Sequence, residues 1–418
     1  MAIAFRALRH PAFRIFFAGQ FLSLVGAWMQ TVATSWLIYR LTGSALLLGI
    51  TTMAQQFPVL VVSPIAGVLA DRINRRRLLI GIQSLAAIQA VTLAALTFAG
   101  VVQPVHIIAL SFVLGTISAL ETPTRQAFLI EMVESRQDLP NAIALQSALF
   151  QAARFVGPSI AGVVLATAGE AWCFLANALS YLAVVAAYGL IRVKPRQAAE
   201  PGGNWRGQLK SGFRHAFGFL GTRRVLLLLG VVGFFSAPCS TLMPIFAKEI
   251  FSGDSRTLGF LIGSVGFGAV AGLVMLATRS SVRGLGRLVA AATIVAGLAL
   301  VAFSLTRSFW VGLPLLALFG FGLISAVASC NTILQSVADE DKRARMISIY
   351  VMVFMGIGPM GSLAAGALAD PFGAPATVFV CGVVVASAGA VFAAGLKSWT
   401  QAVRPIYIRQ GLIPGAPE

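Results

Sequence analysis

Few residues of this 418-residue chain are placed where they could do chemistry. Glu121 and Arg125, four apart, and Arg154, three residues ahead of Gly157-Pro158, interrupt otherwise apolar runs. A charge in such a run is costly to keep and therefore a functional candidate. A carboxylate there can take up and release a proton, and a guanidinium can hold an anion or pair with that carboxylate. The spacing sets Glu121 and Arg125 on one helical face, either as a structural pair near a membrane surface or as a gate. Arg154 has no acid nearby in sequence, which leaves an anionic substrate or Glu121 as its partner. This is chemistry of moving charge rather than of making bonds. Cys173, Cys239, Cys330 and Cys381 scatter through apolar runs without metal-ligand spacing, and His10, His106 and His215 are isolated. No nucleophile and base stand together, so the expectation is a non-enzyme with no metal and no cofactor.

Uncharged polar residues extend the candidate set. Gln30, Gln55, Gln56, Asn177 and Asn331 lie in apolar runs, where an amide must find a partner in another helix or line a water-filled cavity. Helix packing is the commoner reason for any single one; these five are the candidates for lining a substrate cavity, Gln30, Gln55 and Gln56 foremost. Gly157, Pro158 and Gly162, and again Gly358 and Pro359, combine a lost backbone hydrogen bond with residues small enough for close helix approach. They are expected to bend two helices.

The elements that must position these residues follow from composition. The chain is 58% hydrophobic and only 11% charged, with 42 glycines, more apolar residue than a soluble core needs. Measured against the roughly 20 apolar residues that cross a bilayer, it divides into twelve runs, the first beginning near Arg14 and the last ending near Leu396. The expected fold is an all-α polytopic membrane protein of twelve transmembrane helices in two pseudo-symmetric six-helix bundles. The net charge of +17 lies in short turns, as topology signals and anionic-lipid contacts, and not on a nucleic-acid-binding face. Of the 31 Lys and Arg, Arg40, Lys248, Arg256 and Arg307 fall in the turns of one side and Arg154 within a span; the rest lie on the other side. Basic turns stay cytoplasmic, so both termini are expected there. No removable signal peptide is evident at the start of the chain.

Residues 193–224 turn polar and then amphipathic, with Trp205, Leu209, Phe213, Phe217 and Leu220 at helical spacing. They read as a cytoplasmic linker with an interfacial helix, between an N-terminal bundle at 1–192 and a C-terminal bundle at 225–400, followed by a tail at 401–418. The halves look alike: R-F-V-G-P-S-I-A-G at 154–162 answers M-G-I-G-P-M-G-S-L-A-A-G at 355–366, each after a charged turn, and Ile117-Ser118-Ala119 answers Ile324-Ser325-Ala326. Repeated halves suit a carrier with its pathway between them.

Gly67, Asp71, Arg72, Arg75, Arg76 and Arg77 form the pattern Gly-x-Leu-Ala-Asp-Arg-x-x-Arg-Arg-Arg. It resembles the signature loop between the second and third helices of the major facilitator superfamily of secondary transporters, with Asn74 where glycine is usual. The resemblance implies that Asp71 and the arginines latch the two halves on the cytoplasmic side; the bland reading of Arg75 to Arg77 is membrane anchoring. The segment at 154–162 is similar to the fifth-helix motif of the superfamily's drug and proton antiporters, although Ala153 and Ala161 replace two of its glycines. L-R-H-P-A-F-R-I-F at 8–16, G-A-W-M-Q-T-V-A at 26–33, L-T-G-S-A at 41–45 and E-T-P-T-R-Q-A-F at 121–128 resemble the branch of bacterial enterobactin exporters and macrolide efflux proteins. These likenesses imply a monomeric inner-membrane carrier that exports a small amphiphilic molecule by alternating access. The proton gradient would be its energy source, with lipids its other contacts. Importers and lipid flippases of the same build are the alternative.

Overall fold

The computed structural model describes residues 5–133, 135, 137–191, 218–279, 281–338 and 343–410, without the side chains of 63–72 and 343–345. The expected interfacial helix at Trp205 to Phe217 lies outside the described residues, as do the side chains of Gly67, Asp71 and Arg72.

Among the described residues, twelve helices are long and apolar enough to cross a membrane. The first six are α1 (Pro11–Thr42), α2 (Ala45–Arg72), α3 (Arg75–Phe98), α4 (Pro104–Met132), α5 (Leu139–Thr167) and α6 (Glu170–Leu190). The second six are α7 (Leu220–Ile245), α8 (Ser255–Ala277), α9 (Leu285–Leu305), α10 (Phe309–Val337), α11 (Arg343–Phe372) and α12 (Ala374–Ala394). Among the described residues helix is the only regular structure, as expected for a backbone that must satisfy its own hydrogen bonds in hydrocarbon. The ends carry local signals. Gly43, in a left-handed conformation at φ 62°, closes α1. Asn74 starts α3, its side chain accepting the Arg77 backbone N–H at 3.1 Å. Asn74 thus fills the usual glycine position as a helix cap, at φ −58° and without a left-handed turn.

Two compact units emerge: Met1–Pro201 with Met243–Gly263, and Gly202–Leu242 with Ser264–Glu418. In the first, α1 packs on α5 and α6, α2 on α4, and α3 on α4 and α6. In the second, α9 packs on α10 and α12. The two repeat the same internal pairings at their glycines. A Cβ on Gly115 of α4 would run into the Gln55 carbonyl of α2, and one on Gly320 of α10 into the Val265 carbonyl of α8. Gly157 of α5 lies against α1 at Trp28, as Gly361 of α11 lies against α7 at Phe234. Small residues let backbones touch where no hydrophobic drive separates helix from lipid.

Met243–Gly263, the end of α7 with a π-helical turn at Phe246–Ile250 and the start of α8, sits with the first unit. After α12, α13 (Leu396–Arg409) buries Trp399, Val403 and Tyr407, spaced four apart, within the second unit. That spacing was readable in the sequence as a one-sided helix.

Candidate transport site

The polar interior of the first unit is a directed chain of amides. Asn177 Nδ2 of α6 donates to Gln30 Oε1 of α1 at 2.6 Å, Gln30 Nε2 donates to Gln89 Oε1 of α3 at 3.0 Å, and Gln89 Nε2 donates to the Leu110 carbonyl of α4 at 3.1 Å. An amide suits each link because it both gives and accepts. Ser180 Oγ and Tyr181 add contacts to Asn177. Gln30 and Asn177 are 2% and 0% exposed. In this conformation their amides face each other, tying four helices together, and not an open cavity. Gln55 and Gln56 differ: on α2 they are half-buried and exposed, their amides on a less enclosed face. Asn331, half-buried on α10, accepts from Gln335 Nε2 at 3.1 Å.

Glu121 and Arg125 meet as the four-residue spacing predicts, at 3.5 Å, with side chains 18% and 12% exposed. The contact is a loose ion pair, and Arg125 Nε makes no hydrogen bond. Pro123, between them, interrupts the helix ladder, and Thr124 Oγ1 bonds the Leu120 carbonyl at 2.7 Å. Arg154 lies elsewhere, with its guanidinium 5.7 Å from the Trp28 ring of α1, a cation–π contact. Trp28 in turn meets Phe150 edge-on at 6.1 Å. Of the bend motif, Gly157 and Pro158 are buried. A Cβ on Gly157 would come within 2.6 Å of the Trp28 Cβ. Gly162 abuts the start of α8: Ser255 Oγ donates to its carbonyl at 3.3 Å, and a Cβ there would meet the Ser255 carbonyl at 2.9 Å. Gly358 and Pro359 lie inside α11, where a Cβ on Gly358 would find only ordinary contacts at 3.6 Å.

At the basic end the arginines after α2 have separate tasks. Arg75 pairs with Glu131 of α4 at 2.6 Å. Arg76 donates to the Tyr188 and Gly189 carbonyls at 2.6 and 2.5 Å, closing the end of α6. Arg77 is exposed. Nearby, Asp138 pairs with Arg6 and, at 3.0 Å, with His10. The hydrogen bond from His10, with Arg6 beside it, holds the Asp138 carboxyl below the usual carboxylate range. At the opposite end, Tyr39 hydrogen-bonds Glu249, Lys248 lies 5.5 Å from the Tyr39 ring, and Arg40 pairs with Glu170 at 2.7 Å. Glu131, Asp138 and Glu249 were not among the sequence candidates. Each sits at a helix end, where a carboxylate carries no signal of its own. Among the described residues no group of His, Cys, Asp and Glu could hold a metal ion.

Twelve spans, repeated pairings within each unit, and a polar core of amides and one loose ion pair define a polytopic carrier. Residues 2–405 match the family model described as transmembrane secretion effector. The chain belongs to that family, within the major facilitator superfamily of transporters. It is 27% identical over 377 residues to the staphyloferrin A transporter of Staphylococcus aureus (strain NCTC 8325 / PS 47), covering 88% of this chain and 92% of the relative. It is 26% identical over 411 residues to the multidrug efflux pump Tap of Mycolicibacterium fortuitum, covering 95% and 99%. It is also 26% identical over 378 residues to the enterobactin exporter EntS of Shigella boydii serotype 4 (strain Sb227), covering 87% and 89%. In fold it is similar to a bacterial homologue of the human lysosomal transporter Spinster, solved inward-facing and occupied. The TM-score is 0.74 at 14% identity, over 95% of this chain and 98% of the other.

Proposed function

We propose that this transporter is a secondary active exporter of the bacterial cytoplasmic membrane, moving a small amphiphilic molecule of drug or siderophore type outward by alternating access in exchange for protons. Efflux and export in the names of two relatives support the direction. The excess of Arg and Lys in the turns of one side supports placing that side and both termini in the cytoplasm.

The observation that carries the coupling step is the Glu121–Arg125 pair, enclosed yet only loosely joined at 3.5 Å. Protonating Glu121 removes the charge that holds Arg125, and losing the proton restores it, so the pair has two arrangements separated by one proton. Gln55, Gln56, Asn331 and Arg154 are the proposed contacts of the substrate, with Arg154 for any anionic group. Gly157, Pro158 and Gly162 serve the closure of α5 on the start of α8, and Gly358 and Pro359 the bend of α11. Asp71, Arg72 and Gly67 belong to the proposed cytoplasmic latch, with Arg75, Arg76 and Arg77 holding its base. The carrier works as a monomer, with lipid around it, no nucleic acid, no cofactor and no catalytic residue.

The test is substrate flux in vesicles with an imposed proton gradient, using a dye and a catechol siderophore as probes. Glu121→Gln is expected to lose gradient-driven movement while keeping exchange down a substrate gradient. Normal gradient-driven flux in that variant would overturn the coupling assignment, and accumulation against the expected direction would make the protein an importer.

A further inference from the structure

We propose that a cleft between the α8–α9 turn and α13 binds the phosphate headgroup of an anionic phospholipid. The cleft encloses about 370 Å³ and is lined by Arg283, Arg287 and Arg404 together with Thr400, Trp399 and Tyr407. Its walls are built rather than loose. Arg279 donates to the Arg283 carbonyl at 2.7 Å and Gly284 turns left-handed at φ 75°, which sets Arg283 and Arg287 on either side of one bend. A Cβ on Gly286 would meet the Trp399 ring at 2.6 Å, so the indole lies directly on that turn. Trp399 Nε1 donates to the Gly221 carbonyl at 3.0 Å, and Arg224 donates to the Gly395 carbonyl at 2.8 Å, docking α13 at both its face and its start.

The contrast with the first unit identifies the ligand's chemistry. There, the matching arginines are engaged: Arg75 by Glu131, Arg76 by the carbonyls that end α6. Among the described residues Arg283, Arg287 and Arg404 are exposed, form no ion pair, and have no carboxylate beside them in the lining of the cleft. Three guanidinium groups around one pocket suit a phosphate, whose oxygens accept forked pairs. The pocket lies where α8 ends, α9 begins and α12 hands over to α13, at the level where apolar spans give way to polar chain. A free phosphate would find the arginines but not the adjoining apolar surface of Pro405 and Ile408, both exposed on α13. A phospholipid finds both, and Trp399 and Tyr407 are the residue types that favour the interface.

The experiment uses the full chain purified in detergent, with phosphatidylglycerol, phosphatidylcholine and glycerol 3-phosphate as probes. Retained lipid is read by native mass spectrometry and the melting temperature in parallel. Phosphatidylglycerol is expected to be retained and to raise the melting temperature. Arg283→Gln, Arg287→Gln and Arg404→Gln should each weaken retention about fivefold, the worth of one basic residue near an anionic headgroup. Arg307→Gln, at the other end, should change nothing. Should Arg283→Gln or Arg287→Gln, in the α8–α9 turn, fail to fold, Arg404→Gln, on an exposed face of α13, decides. Equal retention of phosphatidylcholine, undiminished retention in the variants, or full protection by glycerol 3-phosphate alone would overturn the proposal. Detergent removes sidedness, so the assay is indifferent to the proposed orientation, which only names the leaflet.

Discussion

Tyr39, at the end of α1, hydrogen-bonds the carboxylate of Glu249 in the π-helical turn that ends α7, and Lys248 sits 5.5 Å from the same phenol ring. The partners are 210 residues apart. Their bond holds the Met243–Gly263 segment to the first unit beside the contact of Gly162 with Ser255.

Losing that bond should loosen this end of the molecule. Tyr39→Phe removes only the hydroxyl, worth about 1 kcal/mol or roughly fivefold in an equilibrium. A cysteine at Ser255, 3% exposed against α5, is expected to react about that much faster with an impermeant maleimide in the variant. Background is low because Cys173, Cys239, Cys330 and Cys381 are all buried.

The amide chain predicts a stability defect. Gln30→Leu keeps the volume but strands the Asn177 donor and the Gln89 acceptor, at a cost of about 1–2 kcal/mol. The melting temperature of the purified protein should fall. Asn177→Ala in the same background should cost less than it does alone, because the two share one interaction. Gln55→Ala and Gln56→Ala, outside that chain, should leave melting unchanged and alter substrate affinity.

Gly162 has no room for a side chain. Gly162→Val places methyls where the Ser255 carbonyl and the Gly259 Cα already stand 2.9 and 3.0 Å from a Cβ. Flux is expected to drop about tenfold or more, as befits 1.4 kcal/mol or more of steric cost in one conformation, while the protein stays monodisperse. Gly81→Ala, a helical glycine with nothing within 4 Å of a Cβ, is the matched control and should transport normally.

Asp138 gives a pH dependence with a definite sign. Its carboxyl is held below the ordinary 3.8 by the His10 hydrogen bond and the Arg6 charge. A carboxyl depressed in the folded state adds stability above pH 3.8 and loses it as pH falls through the folded value. Melting from about pH 6 down to about pH 3 should therefore fall more steeply in the wild type than in Asp138→Asn, the two curves converging at the acid end.

Much of this architecture was legible in the residues. Glu121 and Arg125 pair because a helix places four-apart residues together, whatever surrounds them. Gly157 and Gly162 stand at close helix contacts, as their small size implied, whereas Gly358 meets α7 only at ordinary distance and Gly361 makes the close approach. The partner of Arg75 was not legible. Glu131 lies 56 residues away, and nothing in its neighbours distinguishes it from any other carboxylate at a helix end. Gln30 and Asn177 illustrate the same limit, since the type of a buried amide demands a partner without naming it. Helix α13 could have been read from the four-residue spacing of Trp399, Val403 and Tyr407.

The sequence by itself determined the number of spans and the repeat of the halves, because hydrocarbon of fixed thickness demands a fixed length of apolar helix. It also determined which side carries the basic turns. Only the tertiary structure decided which amide answers which, that Met243–Gly263 sides with the first unit, and that α13 folds back to close a basic cleft. Those outcomes depend on contacts between residues distant in the chain, and such contacts are set by how helices pack rather than by the composition of any one of them.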